Sequence, residues 1–273
     1  MKLIFRVVLS LPVFLTACNN DDSSHTNNSG NTGTPIPLIN YVVKNTYPHD
    51  TTSFTEGLLV HEGLVYESTG SPDDMLQTRS LFGDIDLATG KINKKVELDR
   101  EKYFGEGISF LRGKIYQLTY QTKKGFIYDA KTFVQTGEFG FPSEEGWGMT
   151  TDGNYLIMSD GTNIITYLDP TDFKALKKLN VTADAGPVMK INELEFINQF
   201  LYANIYETNT IIKIDTATGK VAARLELGSL ATEAKSRYRG SMEMNGIAYD
   251  SVLQKIYITG KMWPVLYEIQ FPH

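Results

Sequence analysis

Cysteine is almost absent from this 273-residue chain, because Cys18 is the only one. A single cysteine excludes an internal disulfide framework and any zinc site built on cysteine ligands. Histidine is scarce as well: there are four, and none has the spacing of a metal-binding motif. Among them, we interpret His49 as a surface or strand-edge residue rather than as an acid–base group.

Several common functional motifs are also missing. The chain contains no P-loop, no dinucleotide-binding fingerprint and no Gly-Xaa-Ser-Xaa-Gly turn of serine hydrolases. No run of Lys or Arg exceeds two residues, and the formal net charge is −6. Since binding to nucleic acid requires a positively charged face, these features argue against nucleic acid as a partner.

The N-terminus has the features of an export signal. Lys2 and Arg6 form a basic start, an apolar stretch over Val7–Phe14 follows, and Leu-Thr-Ala precedes Cys18. This last pattern matches a bacterial lipobox, after which the cysteine is lipidated and becomes the new N-terminus. We therefore predict a signal peptide over residues 1–17 and a lipid anchor on Cys18; a plain signal peptide or a buried N-terminal strand are the alternatives. With about 15 apolar-biased residues in all, the N-terminal segment is too short for a membrane-spanning helix.

The segment after this cysteine predicts a flexible tether. Asn19–Pro37 consists almost wholly of Asn, Asp, Ser, Thr, Gly and Pro, which is too polar to pack into a core. We predict a tether over residues 18–38 and a folded domain over residues 39–273. The protein would then lie outside the cytoplasm, on the periplasmic or cell-surface side of a bacterial membrane, which it would contact through the lipid on Cys18.

From Ile39 onward the chain consists of short β-rich runs, and the segment nearest to a helical pattern, Leu230–Arg239, is short and polar. One element recurs five times at a spacing of about 40–53 residues, which is the size of a propeller blade. Each copy opens with a polar or aromatic residue followed by glycine or, once, glutamate: Glu56-Gly57, Glu106-Gly107, Trp147-Gly148, Asn192-Glu193 and Asn245-Gly246. A second strand follows about ten residues later, then a third, and in four copies a fourth.

These repeats predict an all-β, five-bladed β-propeller. The last copy stops after three strands, and we expect Asn40–Asn45 at the other end of the domain to supply the fourth. Such closure removes the exposed sheet edges that would otherwise pair with other chains. A β-sandwich and an open repeat array are the alternatives.

Equivalent residues of the five copies should meet at one end of the central channel, since the first strand of each propeller blade lines it. The residues that open each copy form one set, and the residues that end each second strand form another: Gly70, Tyr120, Gly161, Tyr206 and Lys261. Carboxylates placed close to each other and to a lysine have shifted pKa values, which acid–base chemistry uses. Polar residues that merely bind water and each other are the alternative interpretation.

At these same residues the chain resembles the plant and bacterial type of glutaminyl cyclase (glutamine cyclotransferase), a family of five-bladed propellers. The matching stretches run in order through the whole domain: Ser53–Leu58, Tyr66–Gly70, Tyr103–Gly107, Gly146–Gly148, Asn192–Glu195, Asn245–Ala248 and Thr259–Trp263. The resemblance implies that the α-amine of an N-terminal glutamine attacks its own side-chain carboxamide, so that pyroglutamate forms and ammonia leaves. It implies no cofactor and no catalytic metal, and peptides or proteins with N-terminal Gln as partners.

The motif match also implies roles for individual residues. Glu106 would move a proton from the attacking amine to the departing nitrogen. Asn192 and Lys261 would hold the substrate and stabilise the oxyanion on the γ-carbonyl. The predicted substrate-binding residues are Phe54, Glu56, Tyr120, Trp147 and Tyr206.

The chain departs from the family pattern at three of these positions. Family members commonly carry glutamine where this chain has Glu56, which alters the charge there. Tyr120 and Tyr206 occupy aromatic positions that are often tryptophan, so the wall changes in size and gains hydroxyl groups. A propeller that binds peptides without turnover, and a propeller hydrolase that depends on a channel metal, are the alternatives to a cyclase.

Overall fold

The computed structural model describes residues 35–273 of the chain. The predicted signal peptide, the predicted lipid anchor at Cys18 and most of the predicted tether lie outside these described residues.

The described residues form five four-stranded antiparallel sheets, one two-stranded sheet and one helix. Strand β1 (Val42–Pro48) precedes the first complete blade, which contains β2 (Phe54–His61), β3 (Leu64–Gly70), β4 (Leu81–Ile85) and β5 (Ile92–Glu97). The second blade contains β6 (Gly105–Leu111), β7 (Lys114–Thr119), β8 (Lys124–Asp129) and β9 (Gln135–Gly140). The third contains β10 (Met149–Thr151), β11 (Leu156–Met158), β12 (Ile164–Leu168) and β13 (Ala175–Asn180).

The short pair β14 (Thr182–Ala183) and β15 (Gly186–Pro187) leads to the fourth blade. That blade contains β16 (Ile191–Ile197), β17 (Phe200–Ile205), β18 (Thr210–Asp215) and β19 (Val221–Glu226). Helix α1 (Gly228–Arg237) precedes the fifth blade, which contains β20 (Met244–Asp250), β21 (Lys255–Gly260) and β22 (Val265–Gln270). The innermost strands contact each other in a closed cycle, β2–β6–β10–β16–β20–β2, which confirms the predicted five-bladed propeller.

Strand β1 completes the fifth blade, as predicted. It pairs antiparallel with β22, from Val42 opposite Gln270 to Pro48 opposite Val265. The closing strand begins two residues later than expected from the sequence and continues past Asn45. Closure thus joins the two ends of the domain in one sheet. The edge of β22 that would otherwise be exposed is paired with β1.

The core is divided into five apolar clusters, one between each pair of neighbouring blades. Between blades 1 and 2, for example, Phe82 packs with Ile115 and Tyr128. Between blades 5 and 1, Leu58 packs with Leu266. Because each blade buries both faces, its inner strands are apolar on both sides, which explains why the first strands show little alternation.

Helix α1 corresponds to the short polar segment noted in the sequence. It has ten residues and buries only Leu230 and Ala234. Over residues 35–273, no helix has the length and apolar character needed to cross a membrane.

Candidate active site

All eight predicted catalytic and substrate-binding residues line one cavity at an end of the central channel. The cavity has a volume of about 190 Å³, below the ~300–1,000 Å³ of pockets for drug-sized ligands, and so suits a single residue-sized group. Its walls are Phe54, Glu56, Pro72, Phe104, Glu106, Tyr120, Trp147, Asn192, Tyr206 and Lys261.

Irregularities in the innermost strands aim the polar side chains into the cavity. The register of β2 against β3 shifts between Thr55 and Gly57, so that Glu56 lies in the irregular step. Corresponding shifts occur around Glu106 in β6, around Asn192 in β16, and around Asn245 in β20. A β-bulge re-aims a side chain and is common next to active sites. Four of the five repeat copies therefore share a β-bulge-like irregularity that turns the opening residue toward the channel.

Glycine after two of these opening residues allows the inner strands to approach closely. A Cβ on Gly107 would lie 2.4 Å from the Met149 nitrogen, and one on Gly148 would lie 2.3 Å from the Asn192 oxygen. No side chain fits at such distances from backbone atoms. The repeated glycine thus sets the diameter of the channel at the level of the cavity.

Glu56 and Lys261 form a buried ion pair in the cavity wall. The Lys261 Nζ donates to Glu56 Oε1 at 2.7 Å, and the Asn245 amide donates to Glu56 Oε2 at 3.1 Å. Burial raises the pKa of Glu56 to about 7, although the charge of Lys261 opposes the shift. Burial works to lower the pKa of Lys261, but Glu56 and Glu106 outweigh it and raise that pKa, so the lysine keeps its proton.

Glu106 differs from its neighbour because its carboxyl group is unpaired. It is 4% exposed, and its Oε2 has no hydrogen-bond partner. Burial, together with the nearby charge of Glu56, raises the pKa of Glu106 well above its usual range, and Lys261 only partly opposes this. The site therefore holds a carboxyl group whose proton affinity is raised by burial and whose Oε2 has no partner among the described residues.

Asn192 contributes a second unpaired polar atom. Its Oδ1 is buried without a hydrogen-bond partner, whereas its backbone oxygen accepts a hydrogen bond of 2.7 Å from the Ser159 hydroxyl. That bond fixes the backbone and leaves the side-chain amide free for a ligand. Buried polar atoms are rarely unpaired, so two such atoms in one cavity indicate a place for a polar group.

The aromatic wall consists of two interlocked groups of rings. Phe104 packs against Phe54 and Tyr120, with ring centroids 6.0 and 5.8 Å apart, and Trp147 packs edge-on against Tyr206 at 5.5 Å. Lys261 Nζ lies 4.5 Å from the centre of the Phe54 ring. The rings thus form the apolar body of the cavity, while the lysine charge is stabilised from one side by a π face.

The two glycines among the residues that end second strands provide space for these rings. A Cβ on Gly70 would lie 2.1 Å from the Phe104 ring, and one on Gly161 would lie 2.7 Å from Trp147. Gly70 and Gly161 therefore make room for aromatic rings and do not line the cavity themselves.

The chain is similar to known proteins over most of its length. The sequence profile of the family described as Glutamine cyclotransferase matches residues 12–271. This chain belongs to the glutamine cyclotransferase family. A glutaminyl-peptide cyclotransferase of Arabidopsis thaliana is 36% identical over 226 residues, which is 82% of this chain and 69% of the relative. The crystal structure of Myxococcus xanthus glutaminyl cyclase is similar with a TM-score of 0.76 at 28% identity, covering 86% of this chain and 98% of that one. The prediction of an enzyme of the glutaminyl-peptide cyclotransferase class is confirmed.

Sequence reasoning did not assign three residues around this cyclotransferase cavity. Pro72 and Phe104 line it, and Glu145 accepts a 2.9 Å hydrogen bond from the Trp147 indole nitrogen. Phe104 lies two residues before Glu106, within the matching stretch Tyr103–Gly107, so the sequence did contain a signal for it. Pro72 and Glu145 lie in loops outside the repeated element, where no pattern marked them.

The interpretation of His49 as a surface or strand-edge residue was wrong. The side chain is buried, with Nδ1 2.7 Å from the Trp263 backbone oxygen and Nε2 3.1 Å from Glu67 Oε2. Glu67 also accepts a hydrogen bond of 2.7 Å from the Thr55 hydroxyl. Burial tends to lower the pKa of His49, but the adjacent Glu67 outweighs it and raises the pKa. The pair is linked to the cavity wall through its partners, because Thr55 directly precedes Glu56 and Trp263 lies two residues after Lys261.

Two further acidic residues lie inside the channel. Glu193, which replaces glycine in the fourth repeat copy, accepts hydrogen bonds from the backbone nitrogens of Leu58 and Ile247 at 3.2 and 2.8 Å. Glu195 accepts one from the Tyr249 nitrogen at 2.8 Å. These carboxyl groups connect innermost strands of different blades and are not part of the cavity lining. Within residues 35–273, no group of three or more His, Cys, Asp or Glu side chains has a geometry that could hold a metal ion.

Proposed function

We propose that this protein converts the N-terminal glutamine of peptides or proteins to pyroglutamate with release of ammonia, without a metal, and that Glu106 moves the proton. The observation that carries the proposal is the buried carboxyl group of Glu106, which faces the cavity and has an oxygen without a hydrogen-bond partner. Family membership supports the reaction class.

The proposed reaction begins when the uncharged α-amine attacks the γ-carbonyl carbon of the same residue. A C–N bond forms, and negative charge develops on the γ-oxygen. The charged Lys261 and the amide of Asn192 are the groups that would stabilise this oxyanion. Their contribution would be strong because the site is buried, where electrostatic interactions are weakly screened.

Collapse of this intermediate requires one proton on the leaving nitrogen and the loss of one proton from the attacking nitrogen. Glu106, with its raised pKa, would donate its proton to the leaving nitrogen and accept the other, so that the carboxyl group is restored and ammonia leaves. A carboxyl group of ordinary pKa would be ionised at neutral pH and could not donate first.

An ammonia-release assay tests this proposal. The purified protein should release ammonia from a dipeptide that begins with glutamine, and release should be unchanged by a chelator. Glu106→Gln should lower kcat by about 10²- to 10⁴-fold, the usual contribution of a positioned proton donor. Absence of release by the wild type, or equal release by this variant, would contradict the proposal.

We also propose that the chain is anchored outside the cytoplasm by a lipid on Cys18. The support is the sequence alone: the basic start, the apolar stretch and the lipobox before the cysteine. In cells that express the full chain, Cys18→Ser should move the protein from the membrane fraction to the soluble fraction or leave it as an unprocessed precursor. Unchanged processing and membrane association would refute the anchor.

A further inference from the structure

A groove opens beside the cavity, between helix α1, the loop after β17 and the segment that leads into β20. Its volume is about 710 Å³, several times that of the cavity. The residues that define it here are Glu207, Thr208, Asn209, Lys235, Arg239 and Glu243.

The groove and the cavity adjoin each other along the chain. Tyr206 lines the cavity, and Glu207, the next residue, lines the groove. On the other side, two backbone hydrogen bonds of 2.9 Å connect the groove to Lys261. The Lys261 nitrogen donates to the backbone oxygen of Glu243, and the Lys261 backbone oxygen accepts from the Met242 nitrogen. The charge of Glu243 also contributes to the raised pKa of Glu56 in the cavity. The groove therefore begins where the wall formed by Tyr206 and Lys261 ends.

A polypeptide substrate needs such a surface. The reaction uses the α-amine and the side chain of the first residue, so those groups must enter the cavity, which has room for little more. The chain that follows must leave across the rim. Thr208 and Asn209 are exposed at the groove and offer hydrogen-bonding side chains to an extended peptide.

The charged side chains of the groove differ in whether they have a partner. Glu207 is paired with Lys190, and Lys235 donates to the Ser241 backbone oxygen at 2.6 Å. The half-buried Glu243, in contrast, forms no ion pair with any lysine or arginine of residues 35–273. An unpaired carboxylate at the exit of the cavity attracts a cationic side chain and repels an anionic one.

We propose that this groove binds the residues that follow the N-terminal glutamine of a polypeptide substrate, and that Glu243 favours a basic side chain at the second position. The inference rests on the proposed function, because it assumes that the first residue occupies the cavity.

The test compares peptides that differ only at the second position. For the purified full chain, kcat/KM for Gln-Lys-Ala-Ala should exceed that for Gln-Glu-Ala-Ala by about two- to fivefold, the effect of one partly exposed ion pair. Glu243→Gln should reduce this ratio toward one. Because the lost charge also acts on Glu56, the turnover of glutamine amide, which does not reach the groove, is measured alongside, and its change applies equally to both peptides and cancels in the ratio. Arg239→Gln removes a cation from the same groove and should not reduce the ratio.

Glu144→Gln is a control for the loss of one negative charge elsewhere, since Glu144 pairs with Lys123 and its neighbour Glu145 bonds to Trp147 of the cavity wall. A wild-type ratio near one, or an equal loss of ratio in the Glu144 variant, would overturn the proposal. Equal loss of all activities in the Glu243 variant, glutamine amide included, would overturn it too, because Glu243 would then act only on the cavity.

A binding measurement separates this inference from the proposed reaction. Pyroglutamyl-Lys-Ala-Ala and pyroglutamyl-Glu-Ala-Ala can be titrated against the intrinsic tryptophan fluorescence, to which Trp147 in the cavity wall contributes, without turnover. Tighter binding of the lysine peptide, lost in Glu243→Gln, supports the groove even if the protein releases no ammonia. Equal binding of the two peptides overturns it.

Discussion

Two glutamates of the innermost strands, Glu106 and Glu193, are equally deep in the protein and yet differ in their surroundings. Both are buried, and burial raises the pKa of both well above the usual range. Glu193 accepts a backbone hydrogen bond on each oxygen, from Leu58 and from Ile247, whereas Glu106 has an oxygen with no partner. Burial alone therefore does not mark a reactive group. The distribution of hydrogen-bond donors decides which carboxyl group connects blades and which is available to a substrate.

Glu56 and Glu67 are intermediate cases, because each is paired with a basic side chain. Glu56 pairs with Lys261 in the cavity wall, and Glu67 pairs with His49. The propeller thus uses buried glutamate in three ways: with backbone donors, with a basic side chain, and alone. Each can be tested by a change to glutamine, which keeps the shape and removes the ionisable group.

The largest contrast should appear between Glu106→Gln and Glu193→Gln. We expect Glu106→Gln to lose most of kcat while its unfolding free energy is unchanged or higher, because no native hydrogen bond is broken. Glu193→Gln should lose about 1–3 kcal/mol of stability. The side-chain NH2 group of the new glutamine would face a backbone N–H, and an NH2 group cannot accept a hydrogen bond from it. Chemical denaturation and single-turnover kinetics on both variants measure the two effects. A lower unfolding free energy for Glu106→Gln, together with an unchanged one for Glu193→Gln, would contradict this contrast.

A second effect should come from His49→Gln, which leaves Glu67 buried without its cation. We expect a loss of about 3 kcal/mol in the unfolding free energy near pH 6. Because the folded pKa of His49 is raised, its stabilisation is complete below the unfolded value of about 6.5 and is lost as the pH rises through the folded value. The difference from the wild type should therefore shrink at higher pH. Denaturant titrations between pH 5.5 and 9 check this, and a difference that grows with pH would contradict it.

The smallest effect should come from Glu56→Gln. Since the pKa of Glu56 is about 7, its carboxyl group gains charge between pH 6 and pH 8 and then competes for Lys261. Ionisation weakens the help that Lys261 gives to the oxyanion, so the wild type should lose rate as the pH rises. The variant keeps a neutral group throughout, and the ratio of its kcat to that of the wild type should increase by about three- to tenfold over this range. A constant ratio would show that Glu56 does not titrate there.

The sequence predicted the blades and the cavity well because both depend on the repeat. Glu106 and Asn192 open repeat copies, and Lys261 ends a second strand, so ring symmetry brings them together. His49 was misinterpreted because its partners, Glu67 and Trp263, are 18 and 214 residues away in the chain. Glu145 was not assigned for a similar reason, since its loop lies outside the repeated element. Contacts that symmetry does not repeat leave no periodic signal to find.

The pairing of β1 with β22 sets an order of events during synthesis. The ribosome makes the closing strand first and its partner last, so some two hundred residues must emerge before the seam can form. Until then, β1 has no place in a sheet, and blades 1 to 4 stand as an open arc whose end blades each lack a neighbour. The ring can therefore close only after the whole domain has been synthesised. A chain that stops before Val265 would lack that seam and expose both sides of it to quality-control proteases.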